Sequence, residues 1–363
     1  MRDHGSEPLG SRSEDDPRTS GAGGRRSFLR RAVGVGAVGL AGLAGCTDEA
    51  TAFPSDDVRF VVPFAPGGGF DEIARLAEPY WETHLPGDVS LVVDNVEGGG
   101  SAVGTGQVYD AEPDGHTLLF GDPFSAGGRQ VVTDPGYDIP KMRYVGHFSH
   151  EPHGIAAAEE LGLAGWDDFV DRVDEFNVAT QGRGSVAHLA PLLLAEVTGA
   201  FSADALNFVH YTGTGEAIAG LERGEVDVYP VGSASSALVA RALDDVEHFL
   251  MFTDAETGEE FFPETRVYAA ELDVPNVAEY IELSSFQRFV AAPPGVPDDI
   301  LETLREAMDA VLADESFREE ALAADRFLLN TAVGPESREL AERKLAALRE
   351  APFPSVLEDA LGE

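Results

Sequence analysis

Apolar runs alternate with glycine-rich breaks along this chain, and the alternation predicts strands that feed helices through small-residue loops. Phe60-Val61-Val62 is a short continuous apolar run of the kind buried on both faces of a parallel sheet. Pro63, Pro66 and Gly67 to Gly69 end it, and Asp71 follows as an expected N-cap, with Ile73, Leu76 and Ala77 at helical spacing to about His84. Val89 to Val93 predicts a second strand, then Gly98-Gly99-Gly100-Ser101-Ala102 and a helix over Val103 to Asp110. Thr117 to Phe120 predicts a third strand, followed by the polar loop Gly121-Asp122-Pro123-Phe124-Ser125. Three strand-to-helix loops in succession converge on the carboxyl edge of one sheet, where open α/β sheets bind ligands. Each loop aims N–H groups at that edge, and the helix dipole there favours negative charge. The first loop is an anion cradle without the Gly-Lys-Ser/Thr of a nucleotide P-loop. At Gly68 and Gly99, positive φ angles are expected that a β-branched residue would resist.

Further along, Trp166 to Phe176 and Val186 to Val197 predict helices, and Phe208 to His210, Val226 to Tyr229 and Phe249 to Phe252 predict strands. Ile300 to Leu312 and Ser337 to Leu348 have the spacing of amphipathic helices, and Ala351-Pro352-Phe353-Pro354 stops the second of them.

The first 45 residues break this pattern. Residues 1–24 are polar and without apolar periodicity, and are expected to be disordered. Arg25-Arg26-Ser27-Phe28-Leu29-Arg30-Arg31 precedes an apolar stretch, Ala32 to Ala44, too short to span a bilayer comfortably. Leu43-Ala44-Gly45-Cys46 closes it with the chain's only cysteine. The segment resembles a twin-arginine export signal ending in a lipobox, with Cys46 lipidated and residues 46–57 as a tether; a signal-anchor helix is the alternative. Gly34 to Gly39 fits the dinucleotide fingerprint by letter, but no strand precedes it, so no nucleotide is expected.

Charge changes the picture next. The first 45 residues hold seven of the 25 basic and five of the 65 acidic side chains, so residues 46–363 carry 18 against 60, a net of −42. That balance excludes nucleic acid as a partner, because phosphates demand Lys and Arg. The acids are spread along the chain, which suits a solvated surface in concentrated, halophilic salt, where the Debye length falls to about 3 Å. One cysteine allows no disulfide within the chain, so stability must come from burial.

VPFAPGGGFDEIAR, VVDNVEGGGSAVG and PDGHTLLFG closely resemble segments of the tripartite tricarboxylate transporter substrate-binding proteins, the Bug or TctC family. Gln181 to His188, His210-Tyr211-Thr212-Gly213-Thr214-Gly215, Gly224 to Asp227 and Ala291 to Pro297 continue the similarity in order, over roughly residues 58–335. Phe70 stands where the family usually has Thr, Thr212 where Lys is common, and Val231-Gly232 where a more polar pair is frequent. The resemblance implies a two-lobed, type II periplasmic-binding-protein-like (Venus flytrap) α/β fold. Each lobe is then a mixed, mostly parallel sheet flanked by helices. The implied first lobe is 58–155 with 286–363 and the second 156–285, crossing near Ala156 and Ser285.

The candidate ligand contacts are Pro66, Gly67, Gly68, Gly69 and Phe70 in the first loop, Gly99, Gly100, Ser101 and Ala102 in the second, and Asp122 and Ser125 in the third. From the second lobe come Gln181, Gly184, Ser185 and His188, with Tyr211, Thr212 and Gly213, the Tyr211 hydroxyl expected to aim into the gap; His150 is a candidate wall residue. Ser185 and His188 could suggest a nucleophile and base, but no Gly-X-Ser-X-Gly elbow is present. Ser185 therefore reads as a hydroxyl donor, and His188 as a helix-face residue serving contact or packing. Asp227 is expected to anchor backbone N–H groups. His147, His150 and His153 recur at intervals of three, which fits no helical ligand pair and no zinc finger, so no metal or other cofactor is expected.

The reading is thus a lipid-anchored, extracytoplasmic binder, not an enzyme, of a small organic di- or tricarboxylate. Backbone N–H groups and hydroxyls would neutralise the ligand with little help from Arg, Arg183 being the only basic side chain in a glycine-rich cleft segment. Four or five charge-assisted hydrogen bonds at about 1.5–3 kcal/mol each cover the roughly 8 kcal/mol of a micromolar ligand. The resemblance implies large and small membrane permease subunits as partners, driven by an ion gradient. The alternatives are a sensory protein serving a receptor kinase, and a Ser/His hydrolase.

Overall fold

The computed structural model describes residues 53–232, 243–254, 256, 258–259, 262–324, 326, 328–350 and 352–362. The expected signal, Cys46 and the start of the tether lie outside these residues.

Two six-stranded mixed sheets divide the fold into two lobes. In the first, β1 (Val58–Val62) lies parallel between β2 (Leu91–Asn95) and β3 (Thr117–Gly121). Between them run α1 (Gly69–His84) and α2 (Ala102–Tyr109), and α3 (Pro123–Val132) follows β3. The long β4 (Arg143–Glu151) leads directly into β5 (His153–Ala158), which belongs to the second sheet. The chain therefore changes sheets at Pro152, and Ala156 is already inside the second.

In the second lobe, β6 (Asn177–Thr180) is parallel to β7 (Asn207–His210) and β8 (Val228–Gly232). Here α4 (Trp166–Asp171) precedes β6, α5 (Val186–Thr198) follows it, and α6 (Thr214–Glu222) joins β7 to β8. β5 is antiparallel to β8 and to β9 (Val246–Met251), which pairs with the short β10 (Val267–Tyr268). After α7 (Val277–Ser284) the chain returns as β11 (Phe286–Ala292), antiparallel to β3 and β4. Helices α8 (Asp298–Ala313) and α9 (Glu315–Ala323), the edge strand β12 (Ala332–Val333), α10 (Pro335–Leu348) and α11 (Phe353–Leu361) complete the fold.

Several local expectations shift. Asp71 is not the cap of α1: the helix begins two residues earlier behind Gly68, and Asp71 Oδ2 accepts from the N–H of Gly67 at 2.8 Å while Oδ1 pairs with Arg75 at 2.9 Å. The second strand forms at Leu91–Asn95 rather than 89–93, because its polar end is tied down. Asp94 pairs with Arg59 on β1, and Asn95 Nδ2 donates to the carbonyl of Phe64 at 3.1 Å. The helix expected over 166–176 ends at Asp171, and a 3-10 turn, Val173–Glu175, follows. Pro352 stops α10 but also starts α11. Asp227 anchors backbone as expected, accepting from the N–H of Asn177 at 2.6 Å.

The core explains the apolar runs. Phe60, Trp81, Phe120 and Phe148 are fully buried, with Phe60 and Phe120 stacked at 5.3 Å. Complete burial of a Phe contributes about 1.5–3 kcal/mol, so such a cluster fixes where β1 and β3 end and hence where their loops begin. Among the described residues no helix is long and apolar enough to cross a membrane.

Candidate functional site

The loops leaving β1, β2, β6 and β7 open onto one cavity of about 590 Å³. Four helices start on it. α1 and α2 come from the first lobe, behind Gly68 and Ser101; α5 and α6 come from the second, behind Ser185 and Gly213. None of the four caps makes a side-chain capping hydrogen bond. First-turn N–H groups have no i−4 partner inside their own helix; in α2 those of Ala102 and Val103 donate instead to the carbonyls of Gly99 and Gly98 at 3.3 Å, and in α5 that of His188 donates to the Ser185 carbonyl at 3.0 Å.

Among the described residues the lobes touch along this cavity at Gly100 and Gly184, at Gly68 and Thr214, and at Ala65 and Gly213. A Cβ on Gly100 would lie 2.9 Å from the carbonyl carbon and oxygen of Gly184, and one on Gly68 would lie 3.3 Å from Thr214 Oγ1. The N-terminus of α2 thus faces that of α5, and α1 faces α6. Gly98, Gly99, Gly100 and Ser101 all have positive φ, from 58° to 134°, which wraps the second glycine loop into a concave nest. Gly68, by contrast, has φ −88°. The strain expected there is absent; its Cα instead gives room to Thr214.

Eleven of the sequence-derived candidates line the cavity: Gly68, Gly69 and Phe70; Gly99, Gly100 and Ser101; Gln181 and Ser185; Tyr211, Thr212 and Gly213. Ser101 and Ser185 stand out. They are only 2% and 7% exposed, and neither hydroxyl has a hydrogen-bond partner. A buried hydroxyl without a partner costs free energy, and a ligand acceptor between the lobes would relieve both. The Tyr211 hydroxyl does not aim into the gap as expected; it packs against Gly220 and lies 3.3 Å from Glu225 Oε2. Thr212 is also occupied, its N–H and hydroxyl both reaching Glu216 Oε2 at 3.1 and 2.7 Å. Gln181 donates to the Tyr229 hydroxyl at 2.6 Å.

The other candidates lie off the cavity wall. Pro66 and Gly67 are exposed, and Ala102 packs on the core of the first lobe. Asp122 and Ser125 form a buried cap for α3, with Asp122 Oδ2 accepting from the Ser125 N–H at 2.9 Å and its hydroxyl at 3.2 Å. Burial raises the Asp122 carboxyl above its usual range, against the pull of Lys344. Gly184 and His188 hold the α5 loop together: the Gly184 N–H donates to His188 Nδ1 at 3.1 Å. His188 packs on Phe208 and His210, and burial pushes its pKa down to about 4. With Nδ1 engaged by Gly184 and the Ser185 hydroxyl unpartnered, Ser185 and His188 form no nucleophile–base pair.

The three spaced histidines part company. His147 sits between Ser337 and the Asn330 carbonyl at 2.7 and 2.6 Å, and His150 meets Ser285 at 2.8 Å on a different cavity, near the crossing strands. His153 is fully buried against Phe252.

Sequence reasoning marked Arg183 but missed two other arginines: Arg129 and Arg288 line the cavity beside it. Arg129 Nη2 approaches the Gly99 carbonyl at 3.5 Å. Arg288 is 2% exposed, pairs with Glu151, donates to Ser149 Oγ at 2.9 Å and lies 5.3 and 4.9 Å from the ring centres of Phe70 and Phe286. Burial pulls its guanidinium down to about 9. Arg288 lies in an apolar strand with no glycine-rich signature, and Arg129 follows Gly127-Gly128 inside α3, beyond the loop that the sequence singled out. Only the return of β11 beside β3 brings Arg288 under the first loop. Phe286 and Leu361 are further wall residues that no motif marked, and Phe64 is another, which lies inside the first quoted segment but was not among the candidates.

A family model described as the tripartite tricarboxylate transporter family receptor matches residues 87–331. A UPF0065 protein of Bordetella pertussis is 26% identical over 317 residues, covering 85% of this chain and 89% of that protein. Among solved structures, the periplasmic binding protein BugD aligns with a TM-score of 0.65 at 22% identity, over 85% of this chain and 98% of BugD. MatC of Rhodopseudomonas palustris, solved with bound malate, aligns with a TM-score of 0.65 at 23% identity, over 84% of this chain and all of that one. The two-lobed arrangement of sheets is thus that of periplasmic binding proteins.

Proposed function

Because this chain belongs to the tripartite tricarboxylate transporter family of receptors, we propose that it captures a small organic carboxylate between its lobes and hands it to a membrane permease. The observation that carries this reading is that Ser101 and Ser185 line one cavity with no hydrogen-bond partner. Two buried, unpartnered hydroxyls, one from each lobe, cap helices whose N-termini face each other across the cavity. An anion there receives donors from both lobes at once, so its binding energy favours the closed arrangement over the open one. Arg129 and Arg183 add charge at the same end. MatC, of like fold, was solved with a carboxylate bound, which supports the class of ligand.

In this proposal the protein works outside the cell membrane, exported through its paired arginines and held by a lipid on Cys46. Its partners are the large and small permease subunits. It acts as a binder and not as a hydrolase, in keeping with the engagement of His188 by Gly184.

The test begins with mass spectrometry of the small molecule that co-purifies from the native host. Calorimetry with that molecule then compares wild type, Ser101→Ala, Ser185→Ala and the double variant. A hydroxyl donating to a carboxylate contributes about 1.5–3 kcal/mol, so each single change should weaken binding about tenfold or more. If both variants bind as wild type does, the anion does not lie between these helices and the proposal fails.

A further inference from the structure

The four helix N-termini on the cavity are not equivalent, and the difference specifies the charge of the occupant. The first turn of α1 carries Asp71 and Glu72, and that of α6 carries Glu216. Asp71 folds back onto the Gly67 N–H, and Glu216 onto the N–H and hydroxyl of Thr212. The positive ends of these two helices are therefore compensated from within the chain. The first turns of α2 and α5 hold no acid. Their caps are the two unpartnered, buried serines, both lining the cavity.

The side chains follow the same division. Arg129 reaches the Gly99 carbonyl, and Arg183 immediately precedes the Gly184 that touches Gly100, so both arginines belong to the α2–α5 end. Glu97, at the rim beside Gly98, opposes them. The opposite wall is aromatic: Phe64 and Phe70 lie 4.4 Å apart, and Phe70 and Phe286 5.5 Å apart. The cation beneath those rings, Arg288, is already neutralised by Glu151 and hydrogen-bonded to Ser149. A second carboxylate placed there would lose its water beside apolar rings and gain no uncompensated positive charge in return.

We propose that the cavity selects a monocarboxylate with an apolar or aromatic body, its carboxylate between Ser101 and Ser185 and its body against Phe64, Phe70 and Phe286. This rests on the anion-site reading above and narrows it. Hexanoate and adipate make a matched test, since they share six carbons and differ by one carboxylate. Calorimetry on the mature protein in molar salt should show hexanoate binding at least tenfold more tightly than adipate. Phe70→Thr should narrow that gap by weakening hexanoate severalfold. Adipate binding as tightly as hexanoate, or more tightly, overturns the proposal. So does absence of binding by every straight-chain monocarboxylate from butyrate to decanoate and by benzoate. Ser101→Ala separates the two levels of the argument. If adipate wins and its binding still needs Ser101, the anion site stands and only the single-charge reading falls. If the tightest acid is indifferent to Ser101→Ala, the site itself was misassigned.

Discussion

Gly100→Ala offers a direct measure of what lobe contact contributes to binding. Gly100 has φ +62°, and a Cβ there would lie 2.9 Å from both the carbonyl carbon and oxygen of Gly184, with its Cα at 3.2 Å. An alanine meets two separate penalties. The left-handed backbone costs about 1–2 kcal/mol whether the lobes are together or apart, so it lowers stability and cancels from the binding free energy. The clash exists only when the lobes touch. Relieving it moves the α5 loop away from the nest, and Ser185 then no longer reaches an anion that Ser101 holds. Loss of one charge-assisted hydrogen bond, about 1.5–3 kcal/mol, weakens binding about 10- to 150-fold. Gly67→Ala is the matched control. It carries the same kind of strain at φ +77°, but nothing lies within 4 Å of its Cβ position. Urea melts should show both variants destabilised to a similar extent. Calorimetry with hexanoate, or the tightest acid of the series, should show only Gly100→Ala losing affinity, with Gly67→Ala within about threefold of wild type. Equal loss in the two variants, or none in Gly100→Ala, would refute the idea that Gly100 and Gly184 set the closed state.

Three further outcomes are expected. In the export segment, Arg25→Lys with Arg26→Lys should leave precursor inside the cell, and Cys46→Ser should release mature protein from membranes without detergent; a Cys46→Ser protein that stays membrane-bound excludes the lipid anchor. With a net charge of −42 over residues 46–363, structure should be lost as salt falls from molar to tens of millimolar and the Debye length grows toward 10–30 Å; full ellipticity and a cooperative melt at 50 mM salt would count against this. His153 is fully buried with neither ring nitrogen partnered, and burial pushes its pKa down to about 3. Between the ordinary value near 6.5 and that figure the unfolded chain holds the proton and the folded chain does not, so stability falls as pH falls through this window. His153→Phe, which can keep the stacking on Phe252, should therefore lose about 2 kcal/mol less than wild type between pH 7 and pH 5; parallel losses in urea melts at the two pH values would show that His153 does not contribute.

The sequence alone determined the order of elements and the places where loops carry donors. Those features are local: Phe60-Val61-Val62 is apolar without interruption, and Gly67 to Gly69 and Gly98 to Gly100 free the backbone at once. The similarity of consecutive motifs indicated the two-lobed fold, which the sheets bear out. Even locally, the reading erred where a side chain chose a partner four or fourteen residues away. Asp71 turned back to Gly67, and the Tyr211 hydroxyl turned away to Glu225.

Tertiary structure alone decided which donors meet. Ser101 and Ser185 are 84 positions apart by their numbers, and only the approach of Gly100 to Gly184 puts them across one cavity. Arg288 reaches Phe70 because β11 returns, antiparallel, beside β3, and the same fold neutralises it against Glu151. Periodicity reports the environment of one segment, whereas the charge a cavity accepts is a sum over segments from both lobes. That sum exists only once the chain has folded.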